Sequence, residues 1–370
     1  MSEPGKEPSA SSRVSAGSMQ PLRSHSMRFG KFGLESTSIL IAVMCSAAFS
    51  HARAQEPMIQ TTCPIQNATQ PPPLELGQEI QRTLVRTRTC IAEGDRRCAE
   101  RGINELDEAA VTADEHAAVF ISRGTYRQSR NQSRQAIAAF EEVLDNADTN
   151  PALIDIAAMQ AVASMMQSGR TGRAAETLER HFSCVFWTPD GLRLAADVHF
   201  ADRNYEAALQ YAESSIALHV HARVPAHGTS TAEGSTVRNS ISLEPMVPRQ
   251  LGLVWIESAR EVGLDPGTQA VHIARALADT HPDLPFIPLY KQAPVYPQRA
   301  LGSLTSGDVT FAGRVGVDGR VHDPYVLESS HEMFEQAALD SARQFIYVPR
   351  LEAGVVVESP FTNKITFEIN

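Results

Sequence analysis

The fold of the carboxyl-terminal part is decided by the stretch DVTFAGRVGVDGRV, residues 308–321. Its apolar residues Val309, Phe311, Val315 and Val317 alternate with other residues, a pattern typical of a half-buried β-strand. Asp318-Gly319 then supplies the residues that a two-residue hairpin turn requires. The stretch predicts a β-hairpin with a first strand over 308–317 and a second over 320–327.

A helix and a last strand are predicted to follow the hairpin. Ser329-Ser330 offers an N-cap for the helix. The residues that share one face of this helix are Phe334, Ala337, Ala338, Ser341, Ala342 and Phe345. Ile365, Phe367 and Ile369 alternate with polar residues as the final strand. The order β-β-α-β predicts a small α+β domain over 284–370, an antiparallel sheet with one helix against it.

This ordered set of residues resembles the TonB C-terminal domain family. The residues that carry the resemblance are Pro294, Tyr296, Pro297, Ala300, Gly307, Val309, Val315–Val321, Ser329, Ser330, Phe334–Ala342, Tyr347, Pro349, Gly354, Ile365, Phe367 and Ile369. The resemblance implies a periplasmic module that binds a short extended peptide of an outer-membrane transporter. It also implies a setting in transport-linked energy coupling.

The last strand is the expected partner-binding edge of this module. An exposed edge accepts a peptide as a further strand, with affinity from main-chain hydrogen bonds. The residues expected at the edge are Thr362, Asn363, Lys364, Ile365, Thr366, Phe367, Glu368 and Ile369. Those expected to form a lip beside it are Tyr296, Pro297, Ala300 and Leu301. Ile365, Phe367 and Ile369 are expected to be core residues that offer their backbone, and Tyr296 fits either the lip or the core.

Residues 75–219 are predicted to be helical, because they are Ala-rich with apolar residues three and four apart. Small residues precede a larger one in Gly124…Ala136…Phe140, and related series follow at Val162…Ala174…Leu178 and Ala196…Tyr205…Ala208. The pattern resembles degenerate tetratricopeptide repeats, and generic helical hairpins are the alternative. Both predict an all-α solenoid that offers a binding face to an unknown protein ligand.

Two further segments separate this array from the α+β domain. Residues 220–247 are largely small and polar and predict a flexible loop. His219 directly before this segment and His221 and His227 within it are interpreted as solvated histidines rather than as a metal site, because a fourth ligand is lacking. Residues 248–283 predict one additional helical hairpin, so the chain is expected to be multidomain.

The amino-terminal part has the features of an export signal. Arg28 and Lys31 precede a charge-free apolar stretch over 36–50, and a small-residue motif predicts cleavage between Ala54 and Gln55. We therefore predict a signal peptide at 27–54 and a linker at 55–74, with residues 1–26 a disordered extension or a mis-assigned start. Cleavage predicts a periplasmic protein, whereas an uncleaved signal would anchor it in the inner membrane facing the periplasm.

The composition and the motifs of the sequence exclude several classes of function. Lys and Arg number 33 against 43 Asp and Glu, giving a net charge of −10, which argues against nucleic acid as a partner. Cys90 and Cys98 flank a predicted turn and are the candidate disulfide. The sequence has no nucleophile elbow, H-E-x-x-H helix, Walker loop or dinucleotide-binding glycine motif. We predict a protein that is not an enzyme and needs no cofactor or metal.

Two functional hypotheses remain, and both work by protein–protein contact. In the first, the protein is TonB-like and captures a transporter peptide by β-strand addition. In the second, it is a soluble helical scaffold or adaptor of the cell envelope with no energy-transducing role. The chain departs from an energy transducer in two respects: its signal is predicted to be removable, and a helical array stands where a long Pro-rich spacer is usual.

Overall fold

The computed structural model describes residue 59 and residues 73–368, apart from 184–185, 225–246 and 304. The predicted extension, the signal peptide with Ala54 and Gln55, and Ile369 lie outside the described residues. So do most of the predicted linker and most of the predicted loop. No helix in the described part of the chain is long and apolar enough to span a membrane.

Ten helices precede the first strand in this part of the chain, and they pack as successive neighbours. Their bounds are α1 Gln78–Glu93, α2 Arg96–Ala109, α3 Ala113–Ser129, α4 Ser133–Leu144, α5 Pro151–Gln167, α6 Thr171–His181, α7 Pro189–Ala201, α8 Tyr205–Arg223, α9 Arg249–Glu261 and α10 Pro266–Leu277. A small α+β domain with antiparallel strands follows them. The predicted fold class, a helical region followed by such a domain, is therefore confirmed.

Short sequence signals set where these helices begin. The side chain of Asn150 accepts a hydrogen bond from the Ala152 amide, and Pro151 occupies the first turn of α5. Thr188 caps α7 in the same way ahead of Pro189. Pro is tolerated at these positions because the first helical amides have no partner within the helix. Both sites are breaks that the sequence predicts between helical units.

The helix pairs are closely packed where small residues meet large ones. The ring of Phe140 on α4 fills the space beside Gly124 on α3, so that a Cβ at residue 124 would lie 2.4 Å from the ring. Ala136, Ala174 and Ala208 are fully buried. A disulfide joins Cys90 on α1 to Cys98 on α2, with 5.7 Å between their Cα atoms.

The array extends further than its predicted end. Helix α8 continues to Arg223, so residues 220–223 are helical rather than loop, and His219 and His221 lie on that helix. His219 is buried, and its Nδ1 hydrogen-bonds the Ser215 carbonyl at 2.9 Å. The interpretation of these two residues as solvated loop histidines is therefore wrong for His219, and His227 lies outside the described residues.

The carboxyl-terminal part contains seven described strands and two short helices. Their bounds are β1 Ile287–Tyr290, α11 Gln298–Gly302, β2 Gly307–Val315, β3 Val321–Ser329, α12 Glu335–Ala342, β4 Ile346–Val348, β5 Arg350–Glu352, β6 Val355–Val357 and β7 Ser359–Phe367. The main sheet has the order β3-β2-β7, and β1 pairs with β4 and β5 with β6 as separate two-stranded ribbons. All these pairs are antiparallel.

The structure corrects the sequence prediction at three places in this domain. Val317 is 54% exposed instead of facing the core with Val315, because β2 ends at Val315 and the chain turns. Ser330 does not cap the helix: its hydroxyl accepts a hydrogen bond from the Asp308 amide at 2.8 Å, and a 3-10 turn at Glu332–Phe334 precedes α12. The short strands β1, β4, β5 and β6 were not predicted.

Candidate functional site

Strand β7 is a regular edge of the three-stranded sheet. Nine consecutive residues pair with β2, from Ser359 opposite Val315 to Phe367 opposite Gly307, without a register shift. Among the described residues, β7 has a neighbouring strand on this side alone. Its other side therefore presents main-chain donors and acceptors to which a further strand can pair.

Strand β3 forms the opposite edge of the sheet and is irregular. Its pairing with β2 shifts register twice, and Asp323 has a φ of +46°. The next residue, Pro324, has no amide hydrogen to offer. Bulges protect edge strands from pairing with other chains, whereas proline occurs in both edges, since β7 contains Pro360. The two edges thus differ in the regularity of their pairing with β2.

The outward-facing row of β7 is polar and solvent-exposed. It contains Thr362, Lys364 and Thr366, and Glu368 follows the strand. The Lys364 Nζ lies 2.9 Å from Asp308 Oδ2 on β2, and both side chains are substantially exposed. A pair of this kind contributes about 0–1 kcal/mol. These exposed polar side chains therefore leave the outer face of β7 in contact with solvent.

The inward-facing row attaches β7 to the core. Phe361 and Phe367 are buried, whereas Asn363 and Ile365 are half-buried. The Tyr347 ring on β4 packs against Phe361, with 5.8 Å between the ring centroids. Burial raises the pKa of the Tyr347 phenol. Tyr347 therefore stays neutral and packs beneath the inner face of β7.

The predicted lip lies against the carboxyl end of β7. The Tyr296 ring stands perpendicular to those of Phe334 and Phe367, with centroids 5.9 and 5.7 Å away. Its hydroxyl donates a hydrogen bond of 2.7 Å to the Thr305 carbonyl. Tyr296 is half-buried, so it serves in core packing as well as in the lip.

The other lip residues have distinct positions around α11. Pro297 is its N-cap residue, and Ala300 is fully buried in the cluster that includes Phe334 and Phe367. Leu301 is 44% exposed. The sequence prediction does not include Val295, which precedes Tyr296 and is 82% exposed. Its exposure is a property of the fold, so no signal in the sequence identifies it.

The structure brings the two predicted groups of site residues together at the Tyr296–Phe367 contact. Ile369, the last predicted edge residue, lies outside the described part. The role of these residues in partner binding stays a prediction. No group of three or more His, Cys, Asp or Glu side chains is placed to hold a metal ion within the residues that the structure describes.

Comparison with known proteins shows what this domain is similar to. Residues 292–369 match the family model described as Gram-negative bacterial TonB protein C-terminal, which confirms the predicted resemblance over these residues. The chain is also similar to a protein described as "Solution NMR structure of Pseudomonas aeruginosa TonB CTD". The two are 30% identical over 23% of this chain and 86% of that chain, with a TM-score of 0.21. No curated protein matches the chain.

Proposed function

We propose that this protein binds an extended segment of an outer-membrane transporter as a fourth strand along β7. The family match at residues 292–369 supports a TonB-like protein in envelope transport energy coupling, a role of interaction rather than of catalysis. The observation that carries the finer proposal is the nine-residue edge of β7, which is regular and open on one side in the described chain.

The side chains along β7 favour a peptide whose residues alternate between apolar and polar. A strand added to β7 continues the pleat, so its side chains alternate between the two faces of the sheet. On the inner face they lie next to Ile365, and we propose that the exposed apolar side chains of Val295 and Leu301, in the segment around Tyr296, contact them as well. On the outer face they lie next to the exposed row Thr362, Lys364 and Thr366. We expect apolar residues of the peptide inside and polar residues outside.

The helical array is proposed to bind a second protein, still unidentified, in a tetratricopeptide-like manner. We further propose that the protein is periplasmic, cleaved before Gln55, with residues 27–54 as its signal and 55–74 as a linker. Retention of the signal would make it an inner-membrane protein facing the periplasm. Mass spectrometry of the mature amino terminus distinguishes these: a chain starting at Gln55 supports the periplasmic form, and a membrane fraction retaining 27–54 contradicts it.

The alternative function is an envelope adaptor without energy transduction. It is favoured by the short connection between α10 and β1, residues 278–286, which replaces a long extended spacer with direct attachment to helices. In this case β7 still binds a peptide, but transport does not depend on the protein. A deletion strain that keeps normal energy-dependent uptake through the bound transporter would favour the adaptor.

Hydrogen exchange on the purified mature protein tests strand addition. Alternate amides of β7 face away from β2, and we expect these to exchange more slowly when a synthetic peptide from the amino-terminal segment of an outer-membrane transporter is bound. The amides of β3 serve as an internal control and should keep their rates. Peptide binding that protects β3, or that leaves β7 unchanged, would contradict the proposal.

A further inference from the structure

One apolar core is shared by the last helices and the carboxyl-terminal domain. Buried residues of α8, α9 and α10 form a single cluster with those of β1, β4 and β5. Trp255 on α9 and Ile273 on α10 belong to it together with Leu289 on β1 and Val348 on β4. Buried apolar area is the main stabilising contribution at such contacts. The two parts are therefore packed on each other rather than only tethered.

Glycines bring the backbones of the two parts into direct contact. A Cβ at Gly252 on α9 would lie 2.1 Å from the Leu289 carbonyl oxygen on β1. At Gly267 on α10 it would lie 2.7 Å from the carbonyl of Asp318 in the β2–β3 turn. Neither position has room for a larger residue unless the neighbouring backbone shifts. Helices α9 and α10 thus lie directly against a strand and a turn of the domain.

Polar contacts reinforce the same junction. Arg320, beside the β2–β3 turn, forms an ion pair with Asp265, the N-cap residue of α10. The Ala353 amide, between β5 and β6, donates a 2.8 Å hydrogen bond to the Asp283 carboxylate in the α10–β1 connection. The Leu351 amide donates a 2.8 Å bond to the Leu284 carbonyl. These contacts fix the orientation of the domain on the helices.

Strand β4 connects this junction to the β7 edge. It packs on α10, and its Tyr347 amide donates a 2.9 Å hydrogen bond to the Gly319 carbonyl. The Tyr347 side chain is 2% exposed, and its ring lies 5.8 Å from the Phe361 ring. Phe361 is a residue of β7. A continuous series of packed groups therefore runs from α9 and α10 through β4 to the edge.

We propose that the α9–α10 hairpin positions the β7 edge, so that the helical array is a rigid handle for the peptide-binding strand. A force applied to a bound peptide is then transmitted to the helices without a flexible spacer. This inference deepens the proposed function, since the edge is where the partner is proposed to bind. Its test needs no peptide, so failure of either proposal can be recognised separately.

The test measures hydrogen exchange of β7 amides in the full mature chain carrying Gly252→Ala. Overpacking destabilises the contact that it strains. We expect the protected amides of residues 361–367 to exchange at least roughly tenfold faster, which corresponds to about 1.4 kcal/mol. Unchanged β7 exchange in a variant that has lost thermal stability would overturn the proposal.

Two glycine controls separate positioning from general loss of stability. Gly124→Ala overpacks α3 against Phe140, far from the junction in the chain, whereas Gly172→Ala on α6 adds a methyl group in open space. Both should leave β7 exchange within about twofold of the wild type, since their effects stay local to the array. Acceleration of β7 by Gly124→Ala equal to that by Gly252→Ala would also overturn the proposal.

A milder variant is available if Gly252→Ala does not fold. Asp265→Asn keeps a side chain that caps α10 but removes the charge that pairs with Arg320. We expect faster exchange at the Tyr347 amide and in β7, by roughly two- to fivefold because the ion pair is partly exposed. Wild-type exchange at both places in Asp265→Asn would contradict the inferred connection.

Discussion

The two edges of the main sheet share one central strand but have opposite properties. Strand β7 pairs with β2 over nine residues in unbroken register, whereas β3 shifts register twice. On its inner side β7 is attached by buried aromatic residues, while β3 exposes Tyr325 and Leu327 by 57% and 54%. An edge strand therefore becomes a candidate binding site when its pairing is regular and its inner face is packed on the core.

The largest expected difference concerns how much the packing of each edge strand on the core contributes to the free energy of unfolding. Phe367 is 2% exposed and stacks on Phe334 with centroids 4.6 Å apart, so Phe367→Ala leaves a cavity. We expect the free energy of unfolding to fall by about 3 kcal/mol or more. Leu327→Ala on β3 should change it by less than about 0.5 kcal/mol, as at other exposed positions. Urea denaturation measures both, and equal losses would remove the distinction between the edges.

Peptide binding should also distinguish the two sides. Leu301 lies in the lip near β7 and Leu327 on β3, and both are substantially exposed. Leu301→Asp places a charge where an apolar side chain of the peptide is proposed to pack, and we expect about tenfold weaker binding, or about 1.4 kcal/mol. Leu327→Asp should leave the affinity unchanged. Calorimetric titration with a transporter peptide would contradict the proposed site if Leu327→Asp had the larger effect.

The tyrosine ring under β7 should make a smaller contribution. Tyr347→Leu loses the contact with the Phe361 ring, so we expect a loss of about 1 kcal/mol in the free energy of unfolding. Tyr325→Leu on the exposed edge is the matched control and should be neutral within about 0.5 kcal/mol. Thermal denaturation of the pair checks this, and a neutral Tyr347→Leu would show that β7 does not depend on the ring contact.

The same tyrosine predicts a dependence on alkaline pH. Burial raises the folded-state pKa of Tyr347 above its unfolded value of about 10. Its contribution to stability is therefore fully present below pH about 10 and is lost as the pH rises toward the folded-state pKa. Between pH 9 and 11, by rough reference to that unfolded pKa, the wild type should lose more stability than Tyr347→Phe. Parallel losses in urea titrations at these pH values would contradict the assignment.

The smallest expected effect concerns how each edge avoids self-association. Bulges interrupt the pairing of β3, whereas β7 is regular and exposes the charge of Lys364. Lys364→Thr removes that charge, and we expect a modest, concentration-dependent rise in self-association by sedimentation velocity. Arg343→Thr on the exposed end of α12 is a charge-matched control that should stay as dispersed as the wild type. Identical behaviour of both variants would show that Lys364 does not guard the edge.

Much of the α+β domain was predictable because its signals are local. The alternation of apolar residues along β2 and β7 indicates two strands, and Asp318-Gly319 indicates the hairpin turn. Neither signal depends on the position of the rest of the chain. The short strands β1 and β4 carry no such pattern, since three or four residues cannot display a period. They form because β1 lies on α9 and β4 on α10. Ser330 likewise resembles an N-cap, but the Asp308 amide across the sheet provides its partner.

The candidate site was predictable in part. The sequence identified the last strand and the Tyr296 segment, and the structure adds the contact between Tyr296 and Phe367. The packing of Tyr347 against Phe361 could not be predicted, because the two lie fourteen positions apart in the chain and a contact across that distance depends on the tertiary fold. Val295 escaped notice because exposure of an apolar residue cannot be read from its neighbours in the chain.

Taken alone, the amino-acid sequence determined the helical array, the hairpin β2–β3, the last strand and the likeness to a known transport module. It could do so because periodicity, turn residues and motif order are properties of nearby residues. Only the tertiary structure decided that β7 is the regular edge, that β3 is the irregular one and that α9 and α10 share a core with the domain. Those outcomes depend on contacts between segments far apart in the chain, where packing and backbone register select among arrangements that local preference leaves equal.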